Sequence, residues 1–512
     1  MKNKIIGTIL VIVLSVALLF FGTVLFMFIS PGTEVFGIRY VSGTSSNGFL
    51  DENKSFENIS STFSVNIKSK SIPVKIKYEN TGYVYVRFYQ KFIGFTNTKA
   101  KTPSVKIDST SNSISVETNE LEKYLIANDD SYLLISIPSG YKNTSFTINS
   151  NTSNVSFEGA TITPIVNLLS IKTTGEFSVN TKGLNINDFS FIGKYKTINL
   201  GDKINVKGFV DFESQSGDLV LFNGTDGNVT FKSVSGSLKI KKCQNLTMTT
   251  STGKLASADT ASNLVINGKL KFNSTLGSVD VLKILGEGIS EINTEIGNVN
   301  VDFAGDLKIT GKRGAIKIKS CNVIDLIGEI GNVTIDNVIS SAKIETTSGD
   351  VKLGSATGKV SNANVKTGLG DIVLTNISGT ANAVASKGNI SVSGSETMAN
   401  IVASTNGTFN GVDIIGDVDL SVKGAVNIAL KTIGKVVIKG NEGPVNINLI
   451  SSAVFEYKVT TTNGEGASLI KNNVTENLGK DKASTNYLST LNKNVITAST
   501  VYGKITITIA NK

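Results

Sequence analysis

Histidine and tryptophan do not occur in these 512 residues, and cysteine occurs twice, proline six times and arginine only at Arg39, Arg87 and Arg313. Without histidine there is no catalytic triad and no histidine general base. Two cysteines with no CxxC exclude a disulfide-built scaffold and a zinc or redox motif of the usual spacing. Scarce arginine, with no recognised nucleic-acid-binding motif, argues against a nucleic-acid partner. Scarce proline leaves long stretches free to pair as strands. The formal net charge of +9 is therefore almost entirely lysine, scattered over positions such as Lys239, Lys317 and Lys352. Such lysines read as solvated strand faces that discourage edge aggregation, with weak attraction to anionic envelope polymers or headgroups as the functional alternative.

The chain has 49 glycines, and thirteen of them, from Gly217 to Gly443, open one phrase: Gly, polar, apolar, any, apolar, with Ser257 and Gly411 the exceptions at its last position. Gly297-Asn-Val-Asn-Val and Gly331-Asn-Val-Thr-Ile are examples. Steps between these glycines run from 17 to 24 residues, a period of about 19. The residue two after the glycine is apolar in every copy, and a second apolar pair lies seven and five residues before most of them, as Leu307 and Ile309 before Gly314. Alternation with period two is a strand with one buried face. Self-similarity at this period marks a stacked array. The expected fold is all-β, a right-handed parallel β-helix with coils of about 19 residues, an N-terminal β cap and one preceding transmembrane helix. One coil alone buries about four apolar side chains, roughly 6–12 kcal/mol, against about 1–2 kcal/mol of backbone entropy per ordered residue, so coils are stable only in a stack. Glycine suits the corner because it takes positive φ without a Cβ clash.

Cys243 and Cys321 each lie seven residues after a coil glycine. They therefore share a coil position four layers apart, about 19 Å, too far for a disulfide. Two free thiols filling the core are expected, with Ile284, Ala304, Val338, Ala356, Ile377 and Ile414 among their register-mates.

The order of segments follows. Residues 1–4 hold Lys2 and Lys4 and read as a short cytoplasmic tail. Residues 5–29 are uncharged and long enough, at about 38 Å as a helix, to cross a bilayer. The exit Met27-Phe-Ile-Ser-Pro31 shows no small-x-small cleavage site, which favours an uncleaved anchor over a signal peptide. The preceding lysines place the body outside. Residues 30–54 read as a linker, 55–144 as an N-terminal β cap with irregular first coils, 145–470 as the solenoid, and 471–512 as a polar loop followed by capping strands. Asn-x-Ser/Thr triplets such as Asn143, Asn223, Asn245 and Asn332 matter only in a glycosylating host.

Ile344-Glu-Thr-Thr-Ser-Gly-Asp-Val-Lys-Leu353 and Val365-Lys-Thr-Gly-Leu-Gly-Asp-Ile-Val-Leu374 resemble the strand–Ser-Gly-Asp–strand phrase of the bacterial putative-adhesin β-strand-repeat family of unknown function. Leu133-Leu-Ile-Ser-Ile-Pro-Ser139 followed by Phe146-Thr-Ile-Asn-Ser resembles that family's first coil. The likeness covers about residues 55–510; several copies replace the Asp after glycine by Asn, Ser, Lys or Ala. The resemblance implies a β-solenoid with a role in surface adhesion or envelope stress and no transferable catalytic residues.

Acidic residues form no paired cluster of the kind a glycoside hydrolase needs. No enzyme activity and no cofactor are expected, a β-helical polysaccharide-active enzyme being the remaining alternative. Asn332, Asp350, Asp371 and Asn389 follow consecutive coil glycines and stack in one row. Asp350 and Asp371 are weak candidates for an oxygen-ligated cation, against the simpler reading of a corner ladder bonded to backbone. Tyr83, Tyr85 and Tyr89 share one strand parity with Arg87 and form a candidate binding platform, against the simpler reading of cap packing. The functional expectation is a single-pass membrane protein whose body lies at the cell surface and offers adhesion or envelope contacts. Its partners would be the bilayer through residues 5–29 and anionic envelope polymers, glycans or a membrane protein. An envelope-stress sensor or scaffold is the alternative, and a filament built end to end a third.

Overall fold

The structure is a computed structural model that describes the chain apart from residues 1, 32, 36, 43–48, 98–102, 121–122, 160–162, 181–182, 195–196, 260–263, 395–399, 433, 451–454, 484–493 and 511–512. The chain divides into two compact units, Met1–Gly227 and Asn228–Lys512.

The second unit is a β-solenoid of about 14 turns. Each coil contributes one strand to each of two faces, and equivalent residues of successive coils pair in parallel. On one face Val299, Ile316, Val333, Val351 and Ile372 are successive partners. On the other, Leu307, Ile324, Ala342, Ala363 and Ala381 are. All ten are buried. These are the two apolar pairs of the repeat, one on each side of the corner glycine.

The glycines stack on one another. A Cβ on Gly253 would lie 1.9 Å from the carbonyl oxygen of Gly236, on Gly314 2.0 Å from that of Gly297, and on Gly331 2.0 Å from that of Gly314. Positive φ, the reason expected, holds for Gly314, Gly331, Gly349 and Gly370. The requirement shared along the column is instead close approach between backbones.

The end of this unit departs from chain order. Strand Val495–Thr500 pairs in parallel with both Lys435–Gly440 and Glu456–Thr461, and Ile505–Ile509 with both Val445–Leu449 and Ala467–Lys471. The last coil in sequence thus lies between two earlier ones. The glycine column follows the same detour, with Gly503 seated on Gly443 and Gly464 on Gly503. Strands Asp481–Ala483 and Val474–Gly479 then cover the outermost coil in antiparallel pairing. Two expectations change here. The stretch from residue 471 carries strands where a polar loop was expected, because covering strands have no buried face to leave an apolar signature. The strands after residue 494 form an inner layer and do not end the stack. The rest of that expected loop, 484–493, lies outside the described residues.

In the first unit the coil Ser64–Ser69/Val74–Glu79 lies between Ser113–Asn119/Tyr132–Pro138 on one side and Thr144–Ser150/Val155–Glu158 on the other. Here too the outer coil is covered by antiparallel strands, Ser104–Thr110 on one face and Val84–Asn97 on the other. Phe49–Phe56 adds to Val84–Asn97. The helix spans Lys2–Ile29, and Glu34–Val35 and Ile38–Val41 form a hairpin directly after it. The described part of the expected 30–54 linker is therefore largely strand. Asp51-Glu-Asn-Lys54 lies in an edge strand whose side chains are mostly exposed, so it carries no alternation.

Cys243 and Cys321 are free and fully buried. The pairing Cys243–Ile266–Ile284–Ala304–Cys321 puts them four layers apart, as the repeat predicted. Val360 follows Val338 in this row where Ala356 was expected, the extra residues forming the turn at Gly354. Burial, for Cys321 with the nearby Asp306 carboxylate, pushes each thiol from 9.0 up to about 12. Native protein should resist alkylation, and intact mass should show two alkylations after unfolding without reductant. The thiol contribution to stability is complete below about pH 9 and is lost as pH rises toward about 12. Unfolding midpoints of the Cys243→Ala/Cys321→Ala variant should fall less steeply across that window.

Candidate binding face

Strand Val84–Asn97 turns Val84, Val86, Phe88, Gln90 and Phe92 into the core, all 0% exposed. Alternation sends Tyr85, Arg87 and Tyr89 to the outer side. Antiparallel pairing with Tyr132–Pro138 puts Tyr132 opposite Tyr89, and the two rings stack at 5.1 Å with 26° between planes. Phe49 meets Tyr89 edge-on at 5.9 Å. Lys75 Nζ lies 5.1 Å from the Tyr132 ring centre and the Arg87 guanidinium 5.3 Å from that of Tyr89. Arg87 donates from Nε at 2.8 Å and from Nη2 at 2.6 Å to the two Asp51 oxygens. That fork holds Asp51 below its ordinary value and raises Arg87.

The result is a half-exposed patch of stacked aromatic rings flanked by two cations and one carboxylate. Its rings suit the apolar face of a sugar, and its cations suit an anionic group. Of the expected platform residues, Tyr89 is central, Tyr85 lies on the same outer side, and Tyr83 sits before the strand at 41% exposure. Phe49, Asp51, Lys75 and Tyr132 were not foreseen. Parity alone turns Tyr132 outward, but its pairing with Tyr89 is long-range and leaves no local trace.

The stacked row has a clear structural task. Asn332 Oδ1 accepts the Asp350 backbone N–H at 3.0 Å, and Asp350 Oδ1 that of Asp371 at 3.0 Å. Asp371 Oδ1 accepts that of Asn389 at 2.7 Å, and Asn389 Oδ1 that of Thr408 at 2.9 Å. Each side chain locks the corner of the next coil, and Asn298 does the same for Ala315. Among the described residues no group of three His, Cys, Asp or Glu is placed to hold a metal ion.

A buried carboxylate that the sequence did not single out is Glu120, 5% exposed. It accepts the backbone N–H groups of Lys70 at 2.8 Å, Ser71 at 2.7 Å and Ile72 at 3.0 Å, and the hydroxyls of Ser71 and Thr118, each at 2.8 Å. Its oxygens are spent on holding the 70–72 corner.

The parallel register continues through the C-terminal coils of the second unit, and the corner locks run as far as Thr408. Residues 356–508 match the Toastrack family, DUF4097. The Toastrack region includes Val365–Leu374, one of the two segments that carried the family resemblance, and the inserted coil after residue 494. A solved structure described as a putative cell adhesion protein from Clostridium sporogenes ATCC 15579 is 9% identical over 90% of this chain and 100% of that one, with a TM-score of 0.15. At those values it transfers no function to this chain. No curated protein matches.

Proposed function

We propose that the chain is a membrane-anchored, extracytoplasmic and non-catalytic β-solenoid that presents a contact surface to acidic polymers of the cell envelope. The observation that carries this reading is the Tyr89–Tyr132 stack with Lys75 and Arg87 on its ring faces. The helix contains Gly7–Ile29, long and apolar enough to span a bilayer. Lysines before it favour an outward body. Tyr89 and Phe95 lie on one strand, six residues and roughly 20 Å apart, and Phe95 packs against the end of the helix. The contact face is thus near the bilayer, where envelope polymers attach or pass.

Full-length protein in nanodiscs should bind poly(glycerol phosphate) and not neutral dextran. Lys75→Gln with Arg87→Gln should weaken binding about tenfold, and Asp51→Asn, which releases the Arg87 fork, should strengthen it. Binding should fall with salt. Unchanged binding in the folded double variant would remove the face from the reading. In intact cells, a membrane-impermeant amine reagent should label the body.

A sensor or scaffold role is a second reading, favoured by the direct packing of the helix on the body. Cross-linking in intact cells would then recover one membrane protein of the same cell.

A further inference from the structure

The chain after the helix turns back along it. Ser30 N–H closes on the Phe26 carbonyl at 2.9 Å, Thr33 N–H bonds the Ser30 carbonyl at 3.2 Å, and the hairpin Glu34–Val35/Ile38–Val41 follows. Met27, Tyr40 and Phe95 form a buried cluster, with Val24, Val35 and Ile93 packed against it. The Phe28 ring lies 4.4 Å from that of Tyr40 and 5.7 Å from that of Phe95. Val35 also lines a cleft of about 510 Å³ with Leu18, Leu19, Gly22, Thr23 and Phe26. Val24 precedes the last helical residue, Ile29, by five positions, roughly 7–8 Å along the axis. The hairpin therefore stands beside the final turns of the apolar span and not beyond them.

One side chain on this hairpin lacks the surroundings a soluble surface would give it. Ile38 shares strand parity with Tyr40, so it lies on the helix side, yet it is 38% exposed.

We infer that the hairpin Glu34–Val41 is a foot inserted into the bilayer interface, with Val35 and Ile38 at the boundary of headgroups and acyl chains. The occupant is the lipid leaflet at the C-terminal end of the helix. The apolar span continues into this hairpin, and Phe28, 46% exposed with its ring against Tyr40, carries aromatic surface to the same depth. The foot fixes the tilt of the first unit on the membrane as well as tethering it. This inference rests on the anchor reading above.

The absence of tryptophan makes the test direct, since one introduced indole is the sole emitter of its kind. Full-length Ile38→Trp, Leu19→Trp and Phe209→Trp variants are reconstituted in phosphatidylcholine/phosphatidylglycerol vesicles carrying bromine at defined acyl depths, Phe209 being an exposed residue several coil layers from the covered coil of the first unit. Trp at 38 should shift to the blue and be quenched at least twofold, most by shallow bromines. Trp at 19 should be quenched most by deep bromines, and Trp at 209 should not respond. Glu34→Trp on the same hairpin repeats the measurement if the first variant misfolds. Quenching at 19 with none at 34 or 38 would overturn the foot and leave the anchor standing. No quenching at 19 would overturn the anchor, and the foot with it.

Discussion

Gly331→Ala should destabilise the second unit by about 3 kcal/mol or more. The new methyl carbon would lie 2.0 Å from the Gly314 carbonyl oxygen and 2.8 Å from its carbon. Both are backbone atoms of the coil below, themselves pinned between further coils, so neither can swing aside as a side chain would. Gly331 also has φ of +151°, where an L side chain adds strain. Gly311→Ala is the matched control. Its Cβ would meet the Thr294 carbonyl oxygen at 3.7 Å, an ordinary contact, and the change should fall within about 1 kcal/mol of neutral. Urea unfolding of the two variants measures the difference in midpoint. Equal midpoints would show that the stacked glycines are a compositional habit and not a steric requirement.

Ending the chain at Asn494 should do far more than trim one coil. The lost strands bury Val495, Ile496, Ile505 and Ile507, which together contribute roughly 6–12 kcal/mol. In a solenoid stacked in chain order, the loss would stop at the new terminal coil. Here Glu456–Thr461 and Ala467–Lys471 use the missing strands as their parallel partners. Residues 456–483 would then lose their seat, and Val436, Ile438, Val445 and Ile447 would face solvent. The expected product is aggregation or proteolysis back to about residue 450. The full-length chain should resist protease under the same conditions. A truncated protein as protease-resistant as the full chain through residue 483 would refute the inserted order.

Where the chain repeats a local rule, the sequence was readable. Alternation before and after each corner glycine identified buried pairs such as Leu307/Ile309 and Val333/Ile335, and register alone separated Cys243 from Cys321. The corner row was readable as a ladder because Asn332, Asp350, Asp371 and Asn389 recur at one offset. Layer order at the ends was not. Val495-Ile-Thr-Ala and Ile505-Thr-Ile-Thr-Ile look like any other coil, and no local pattern records which neighbour a coil takes. Covering strands such as Val474–Gly479 and Phe49–Phe56 were missed because exposure on both faces erases periodicity. At the binding face, Tyr85 and Tyr89 were legible from parity, whereas Phe49, Asp51, Lys75 and Tyr132 arrive from three other strands.

A chain that emerges N-terminus first can build a stack coil by coil. The inserted layer near the C-terminus forbids that for the last stage. Residues 456–471 emerge before their partner exists, and they must wait with apolar strands unsheltered until 495–509 arrive. Completion of 456–471 is thus tied to the arrival of 495–509, a keystone whose delay sets the time during which chaperones or proteases can intervene.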